Sequence, residues 1–327
     1  MQEQQQYIEK LKNKVLNKQQ IDKDEALELV NMPLAELCQA GNEIRQHFCG
    51  NVFDICTIIN GKSGKCSEDC KYCAQSAYYK TKVETYNLLD RKEIVDGARY
   101  NENKGVLRYS IVTAGKSLND AEIDEMCKTA QAIEDNGKIK VCVSFGLLNE
   151  SQYKKLNDAG IKRVHNNLEA SKNYFSNVCT THSFDDKVKA IKAAQKAGMT
   201  VCSGGIMGLG ESMEDRIDMA LSLRELNVKS VPINMLNPIP HTPFADNKVL
   251  TNDEMCRIVA IYRFVLPDVS IRLAGGRGLL PDKGEGCFKS GANAAISGDM
   301  LTTSGITIDT DMAMIKKLGF EVGLWNE

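Results

Sequence analysis

The sequence predicts an α/β protein, a TIM-type (β/α)8 barrel with an N-terminal helical extension. Three observations carry that expectation. From Val52 onward, short β-branched runs alternate with longer segments of helical periodicity, the pattern of repeated βα units. Eight such runs can be counted, which is the number a closed parallel barrel needs. No composition break, internal repeat or low-complexity linker divides the 327 residues, a length that one barrel with short extensions fills.

Taken in chain order, residues 1–50 read as helices packed outside the barrel, with a frayed glutamine-rich start. Strands are expected at Val52–Ile59, Val106–Thr113, Ile139–Phe145, Ile161–Leu168, Met199–Ile206, Val231–Leu236, Val269–Ala274 and Ala292–Ser297. In the helices between them, Asp90 with Glu93 and Thr251 with Glu254 have capping-box spacing, Ser183 is an N-cap candidate, and Gly160 and Gly198 stand where helices hand back to strands. The expected layout is a helical extension over 1–50 and a barrel with a C-terminal tail over 51–327. A barrel of this kind places its chemistry at the C-terminal ends of the strands.

Composition narrows the function. The chain is 43% hydrophobic and 26% charged, and its 41 basic and 43 acidic residues leave a net charge of −2. That balance argues against binding to nucleic acid or to an anionic membrane surface. No apolar stretch approaches the ~20 residues that cross a bilayer, and the start, Met1-Gln-Glu-Gln-Gln-Gln, is unlike a signal peptide. A cytoplasmic location is expected. Twelve cysteines in a reducing compartment point to metal, cluster or redox chemistry rather than disulfides. Cys38, Cys49, Cys56, Cys127 and Cys256 lack any ligand-like grouping and are expected in the core; Cys287 is left open.

The strongest motif is Cys66-Ser-Glu-Asp-Cys70-Lys-Tyr-Cys73, placed after the first strand. Three thiolates on one loop can hold three irons of a cubane cluster and leave the fourth open to a cofactor. A structural zinc site would want four ligands, commonly two separated pairs, and no second pair is found. The neighbouring Gly61-Lys-Ser-Gly-Lys65 lacks the full phosphate-loop pattern. With Tyr72 as the aromatic, Cys-x3-Cys-x-aromatic-Cys resembles the signature of the radical S-adenosylmethionine superfamily. The resemblance implies a 4Fe-4S cluster whose open iron chelates S-adenosylmethionine and whose reduction releases a 5′-deoxyadenosyl radical.

Strand alternation gives an independent argument, because successive side chains point to opposite faces. In the second strand Leu107, Tyr109 and Ile111 share the face toward the helices, leaving Arg108 and Ser110 inward. The same parity sends Cys142, Asn167, Cys202, Asn234 and Arg272 inward, and groups Arg163 and His165 with Asn167. Barrel interiors are ordinarily filled with branched apolar side chains. Buried polar groups in such numbers are costly unless they bind something, so these residues are expected to line a site.

Val201-Cys-Ser-Gly-Gly-Ile206-Met-Gly-Leu-Gly-Glu211, Val231-Pro-Ile-Asn-Met-Leu236, Ile271-Arg-Leu-Ala-Gly-Gly-Arg277 and Leu301-Thr-Thr303 resemble segments of the biotin synthase family, in the same order. That resemblance covers about residues 40 to 320. It implies sulfur insertion between C6 and C9 of dethiobiotin, a flavodoxin- or ferredoxin-type electron donor, and a homodimer. It implies S-adenosylmethionine contacts at Tyr72, Thr113, Ala114, Gly115, Asn167, Glu169, Gly205 and Ile206. Dethiobiotin would lie beside Asn167 and Asn234, with Arg108, Thr302 and Thr303 near its carboxylate.

The family also implies an auxiliary cluster, usually 2Fe-2S, deeper in the barrel; Cys142, Cys202 and Arg272 match three of its ligand positions. At the fourth, where cysteine is usual, this chain has Ser110, a harder and poorer partner for cluster iron. Cys179 stands where the family carries an aliphatic residue. The expectation is therefore a replacement site of Cys142, Cys179 and Cys202, suited to a larger cubane with an extra sulfide; the alternative is that Ser110 ligates weakly or that Cys179 is simply buried. Glu169 for the usual aspartate and His165 for the usual asparagine are further departures, and His165 is a candidate for positioning substrate.

Overall fold

The computed structural model describes residues 2–325; Met1 and Asn326–Glu327, the two ends of the expected layout, lie outside the described residues. Three helices come first, α1 (Gln2–Leu16), α2 (Lys23–Glu28) and α3 (Leu34–Cys49). α1 buries Ile8, Leu11 and Val15, one stripe at helical spacing. The barrel follows as β1 (Val52–Lys62), α4 (Arg91–Asn103), β2 (Arg108–Thr113), α5 (Asp120–Asn136), β3 (Lys140–Ser144), α6 (Glu150–Asp158), β4 (Arg163–His165), α7 (Phe175–Val178), α8 (Phe184–Lys196), β5 (Thr200–Cys202), β6 (Gly205–Met207), α9 (Met213–Glu225), β7 (Ser230–Met235), α10 (Asn252–Val265), β8 (Ser270–Leu273), α11 (Glu285–Lys289) and β9 (Ala294–Ser297). α12 (Ile308–Lys317) and β10 (Glu321–Val322) close the chain. α3 lies on α10, and Gly41 permits the approach: a Cβ there would stand 3.2 Å from Ala260 Cα.

Neighbouring strands are parallel throughout, and β9 pairs with β1 to close the barrel. All eight expected strands are present, the fifth in two pieces. Cys202 pairs with Ser230 and Gly205 with Ile233, so β5 and β6 fill one barrel position with a step at Ser203 and Gly204. Glycine is required at the step, because a Cβ on Gly204 would come within 1.9 Å of Pro232 O. β10, which the sequence did not announce, adds to the outer start of β1.

The helices begin as the sequence signals for most of them. Thr251 accepts from Glu254 N and Glu254 reaches back to Thr251 N, and Ser183 does the same with Asp186. Asn119, Asn149 and Ser212 make equivalent boxes on α5, α6 and α9. Asp90 is the correction: it occupies the N-cap of α4, but its side chain makes no cap bond. The Glu93 amide is instead satisfied by the Asp90 carbonyl at 3.1 Å. Thr251→Ala is expected to cost about 1 kcal/mol through loss of the cap, read as a lower urea midpoint; an unchanged midpoint would contradict it.

At the end of the barrel where strands begin, Arg263 of α10 is fully buried. Its guanidinium donates to Gly291 O at 2.9 Å, Pro267 O at 3.0 Å, Val269 O at 2.9 Å and Asn293 Oδ1 at 2.9 Å. Asn293 Oδ1 also accepts from Ile271 N, so one side chain ties α10 to the starts of β8 and β9.

Candidate active site

A cavity of about 370 Å³ occupies the barrel interior and opens at the C-terminal ends of the strands. Arg108, Ser110, Cys142, Asn167, Cys202, Asn234 and Arg272 all line it, as strand parity requires. On the opposite face of β2, Tyr109 lies under α4, where a Cβ on Gly97 would meet its hydroxyl.

The floor is built around Asp54, whose side chain is fully buried. Arg272 pairs with Asp54 at 3.0 Å, and Arg163 stands 3.7 Å from it. Burial alone would raise the Asp54 carboxyl, but Arg272, Arg108 and Arg163 overcome it and hold the pKa below the ordinary value. Arg272 Nη1 donates to Asp54 O, Ala295 O and Cys56 Sγ, the last at 3.2 Å. Cys56 therefore lines the cavity and is not the isolated core cysteine the sequence suggested. Asp54, two residues earlier on the same face of β1, is the signal that could have found it.

Cys142 and Cys202 stand on the same floor. β2 and β3 register Ser110 with Cys142, and β4 and β5 register His165 with Cys202. Burial pushes the Cys142 thiol up to about 12. Burial also raises Cys202, but a hydrogen bond and charge from His165, the Arg272 charge and the Ser230 hydroxyl bring it down to about 6. His165 thus bears on a cysteine. Arg108 belongs electrostatically to the Asp54 group, whereas Thr302 and Thr303 sit on the loop after β9 at the mouth; all three line the cavity.

At the mouth, the loop after β1 carries Cys66, Cys70 and Cys73, with Cys66, Tyr72 and Cys73 facing the cavity. Main-chain bonds shape it: Cys66 N to Gln75 O, Ala77 N to Cys66 O and Lys71 N to Val178 O, each 2.8–2.9 Å. Thr113, Ala114, Gly115, Glu169 and Ile206 line the same end. Glu169 takes a left-handed φ of 70°, unusual for a residue with a Cβ. Its amide donates to Gly204 O and its carbonyl accepts from Ile206 N. Gly205 packs against this turn, and a Cβ on it would lie 2.5 Å from Glu169 O. Asn167 Oδ1 accepts from Gly204 N at 3.0 Å, and Asn234 spans Gly205 O and Gly275 N. Both amides are oriented by the step in the fifth strand.

Cys179 is not with Cys142 and Cys202. It follows α7 and lies on the far side of the cysteine loop, its Sγ 3.7 Å from Cys70 Sγ and 3.3 Å from His182 Nδ1, and it does not line the cavity. The expected trio of Cys142, Cys179 and Cys202 is not brought together; Cys56 lines the cavity with Cys142 and Cys202 instead. A loop position has no strand parity, so spacing alone could not place Cys179.

Comparisons with known proteins agree with this architecture. Residues 62–223 match the model of the radical SAM superfamily and residues 232–321 that of the biotin and thiamin synthesis associated domain. The chain is 58% identical over 317 residues to a biotin synthase of Brachyspira hyodysenteriae, covering 97% of this chain and 95% of that one. It is 56% identical to one of Clostridium botulinum, covering 96% and 99%. Among solved structures, the [FeFe]-hydrogenase maturase HydG superposes with a TM-score of 0.82 at 19% identity, over 97% of this chain and 75% of that one. Methylornithine synthase (PylB) gives 0.82 at 17%, over 96% and 97%; at such identities the likeness is one of fold. Identity of this extent, over nearly the whole length of each relative, places the chain in the biotin synthase family of the radical SAM superfamily.

Proposed function

We infer that this chain forms biotin by inserting sulfur between C6 and C9 of dethiobiotin in a radical S-adenosylmethionine reaction. The observation that carries the reading is one cavity with a three-cysteine loop at its mouth and a second cysteine group on its floor. Removing hydrogen from two unactivated carbons and joining them through sulfur needs a radical source and a sulfur source on either side of one substrate. When bound, a 4Fe-4S cluster with S-adenosylmethionine supplies the radical and an auxiliary iron-sulfur cluster the sulfur.

The donor sets fit both groups. Cys66, Cys70 and Cys73 would hold the first cluster, and Tyr72, Thr113–Gly115, Asn167, Glu169, Gly205 and Ile206 would line the nucleoside side. Cys56, Cys142 and Cys202 would hold the auxiliary cluster, in place of the trio expected from sequence. The guanidinium of Arg272 is already committed to Asp54, Ala295 O and Cys56, which favours three thiolate ligands over a set including arginine. Three thiolates suit a cubane with one exchangeable position. Ser110, registered beside Cys142, is then a neighbour of the cluster.

Asn167, Asn234, Arg108, Thr302 and Thr303 would fix dethiobiotin between the two clusters. Their work is to orient C9 and C6 and to keep water from the radical. The same reading includes a flavodoxin- or ferredoxin-type reductant, a homodimer, a cytoplasmic location, and a helical extension over 1–50 ahead of the barrel. No helix among the described residues is long and apolar enough to cross a membrane.

The test is an anaerobic incubation of reconstituted protein with dethiobiotin, S-adenosylmethionine, a reductant and isotopically labelled cluster sulfide. Labelled biotin is expected, with one 5′-deoxyadenosine for each hydrogen removed, and neither from Cys73→Ala. Deoxyadenosine without biotin would assign a different radical reaction, and its absence would leave a non-catalytic scaffold.

A further inference from the structure

Outside the cavity, behind the cysteine loop, three ligand-type side chains converge. Cys70 Sγ, Cys179 Sγ and a ring nitrogen of His182 lie within 4.8 Å of one another. Cys179 and the His182 and Glu68 side chains are nearly inaccessible, so the group is enclosed. Two of its separations come near those of a coordination site. A tetrahedral ion with metal–sulfur bonds of ~2.3 Å and metal–nitrogen bonds of ~2.0–2.1 Å sets sulfurs ~3.8 Å apart and sulfur from nitrogen ~3.6 Å. The corresponding distances are 3.7 Å for Cys70 to Cys179 and 3.3 Å for Cys179 to His182 Nδ1. The Glu68 carboxylate, 2.6 Å from that nitrogen and 2.8 Å from Thr181 Oγ1, stands beside the fourth corner.

The backbone around the group is held by bonds that involve none of these donors. Asp69 accepts from Thr180 N at 2.8 Å and Thr181 N at 3.1 Å, and Lys71 N donates to Val178 O. Such a preformed frame spares the ordering cost that weakens sites on loose loops. Two thiolates, an imidazole and a carboxylate are a borderline-soft set that favours iron(II), cobalt(II) or zinc over magnesium or calcium.

We propose that Cys70, Cys179 and His182, with Glu68 at the fourth corner, form a binding site for one divalent transition-metal ion. Cys70 belongs to this site and to the first cluster, so the two compete. An ion held here is one ligand exchange from a cluster corner, and closing the cluster on Cys70 removes a ligand from the outer site. The competition rests on Cys70 being a ligand of the first cluster; the site itself does not.

The probe is cobalt(II), titrated anaerobically into the full-length Cys66→Ala/Cys73→Ala protein, where the cluster loop cannot assemble its own site. One equivalent should bind and give thiolate charge-transfer absorption with tetrahedral visible bands; adding Cys179→Ala or His182→Gln should abolish them. Bands that survive either substitution, or that never form, would overturn the site. Should the double variant not fold, metal-stripped Cys66→Ala protein, whose loop keeps only two thiolates, must bind one equivalent that adding Cys179→Ala removes, and an equivalent that survives overturns the proposal equally well. In cluster-loaded wild-type protein the bands should be absent; their presence would overturn the competition alone.

Discussion

Cys56→Ala is expected to abolish biotin formation while leaving reductive cleavage of S-adenosylmethionine in place. Cys56 lines the cavity floor with Cys142 and Cys202, and Arg272 donates to its sulfur at 3.2 Å. Without that thiolate the auxiliary site keeps two cysteines, too few for a stable cubane. Anaerobically reconstituted protein should hold about half the wild-type iron and acid-labile sulfide, the share of one cubane of two. Its Mössbauer spectrum should retain the first cluster alone. Uncoupled 5′-deoxyadenosine should still accumulate, because Cys66, Cys70 and Cys73 are untouched at the other end of the cavity. Full iron with normal biotin yield would reduce Cys56 to packing and return the fourth ligand position to Ser110 or Arg272.

Arg263→Ala carries the largest expected loss of stability. The guanidinium, itself fully buried, satisfies carbonyls of Gly291, Pro267 and Val269 and the Asn293 side chain. Deleting it strands those acceptors and opens a void beneath α10. Losses of roughly 3–5 kcal/mol follow when a buried charged network is broken. Guanidinium-induced unfolding of metal-stripped protein would report it without the stabilisation that bound clusters add. The site lies at the strands' N-terminal end, where barrels invest in stability rather than chemistry, so deoxyadenosine formation per folded, loaded molecule should stay near wild type. A loss below 1 kcal/mol would mean that water replaces the guanidinium at little cost.

The inward-facing polar set was legible because a strand's period of two converts sequence order directly into side-chain direction. Once β2, β3, β5 and β8 were placed, Arg108, Ser110, Cys142, Cys202 and Arg272 had to share an interior. β1 concealed Cys56 because its buried run, Phe53 to Thr57, mixes apolar residues on both faces and looks like an ordinary core strand. Its parity became informative only with Asp54, a buried carboxylate among three arginines. The step between β5 and β6 was not legible: the sequence predicted one strand over Met199–Ile206, and what forbids a side chain at Gly204 is the Pro232 carbonyl on the next strand, a long-range contact. Cys179 shows the same limit in a loop: its neighbours Cys70 and Asp69 are more than a hundred residues away in sequence. The Asp90 cap failed for a local reason, a first turn whose amide finds a main-chain acceptor before a side chain can compete.

The anchoring of the cysteine loop bears on what remains of the site when a cluster is lost. Many metal-binding loops are held in shape by the metal, and losing it melts them. Here Asp69 accepts from the main chain of Thr180 and Thr181, and the main chain of the loop is bonded to Gln75 and Val178, none of it through a cysteine sulfur. Loss of a cluster should then remove the chemistry while leaving the loop's main chain in place. The loop of metal-stripped protein is then expected to resist proteolysis as the loaded form does, leaving its three thiols in place for a cluster to be built again.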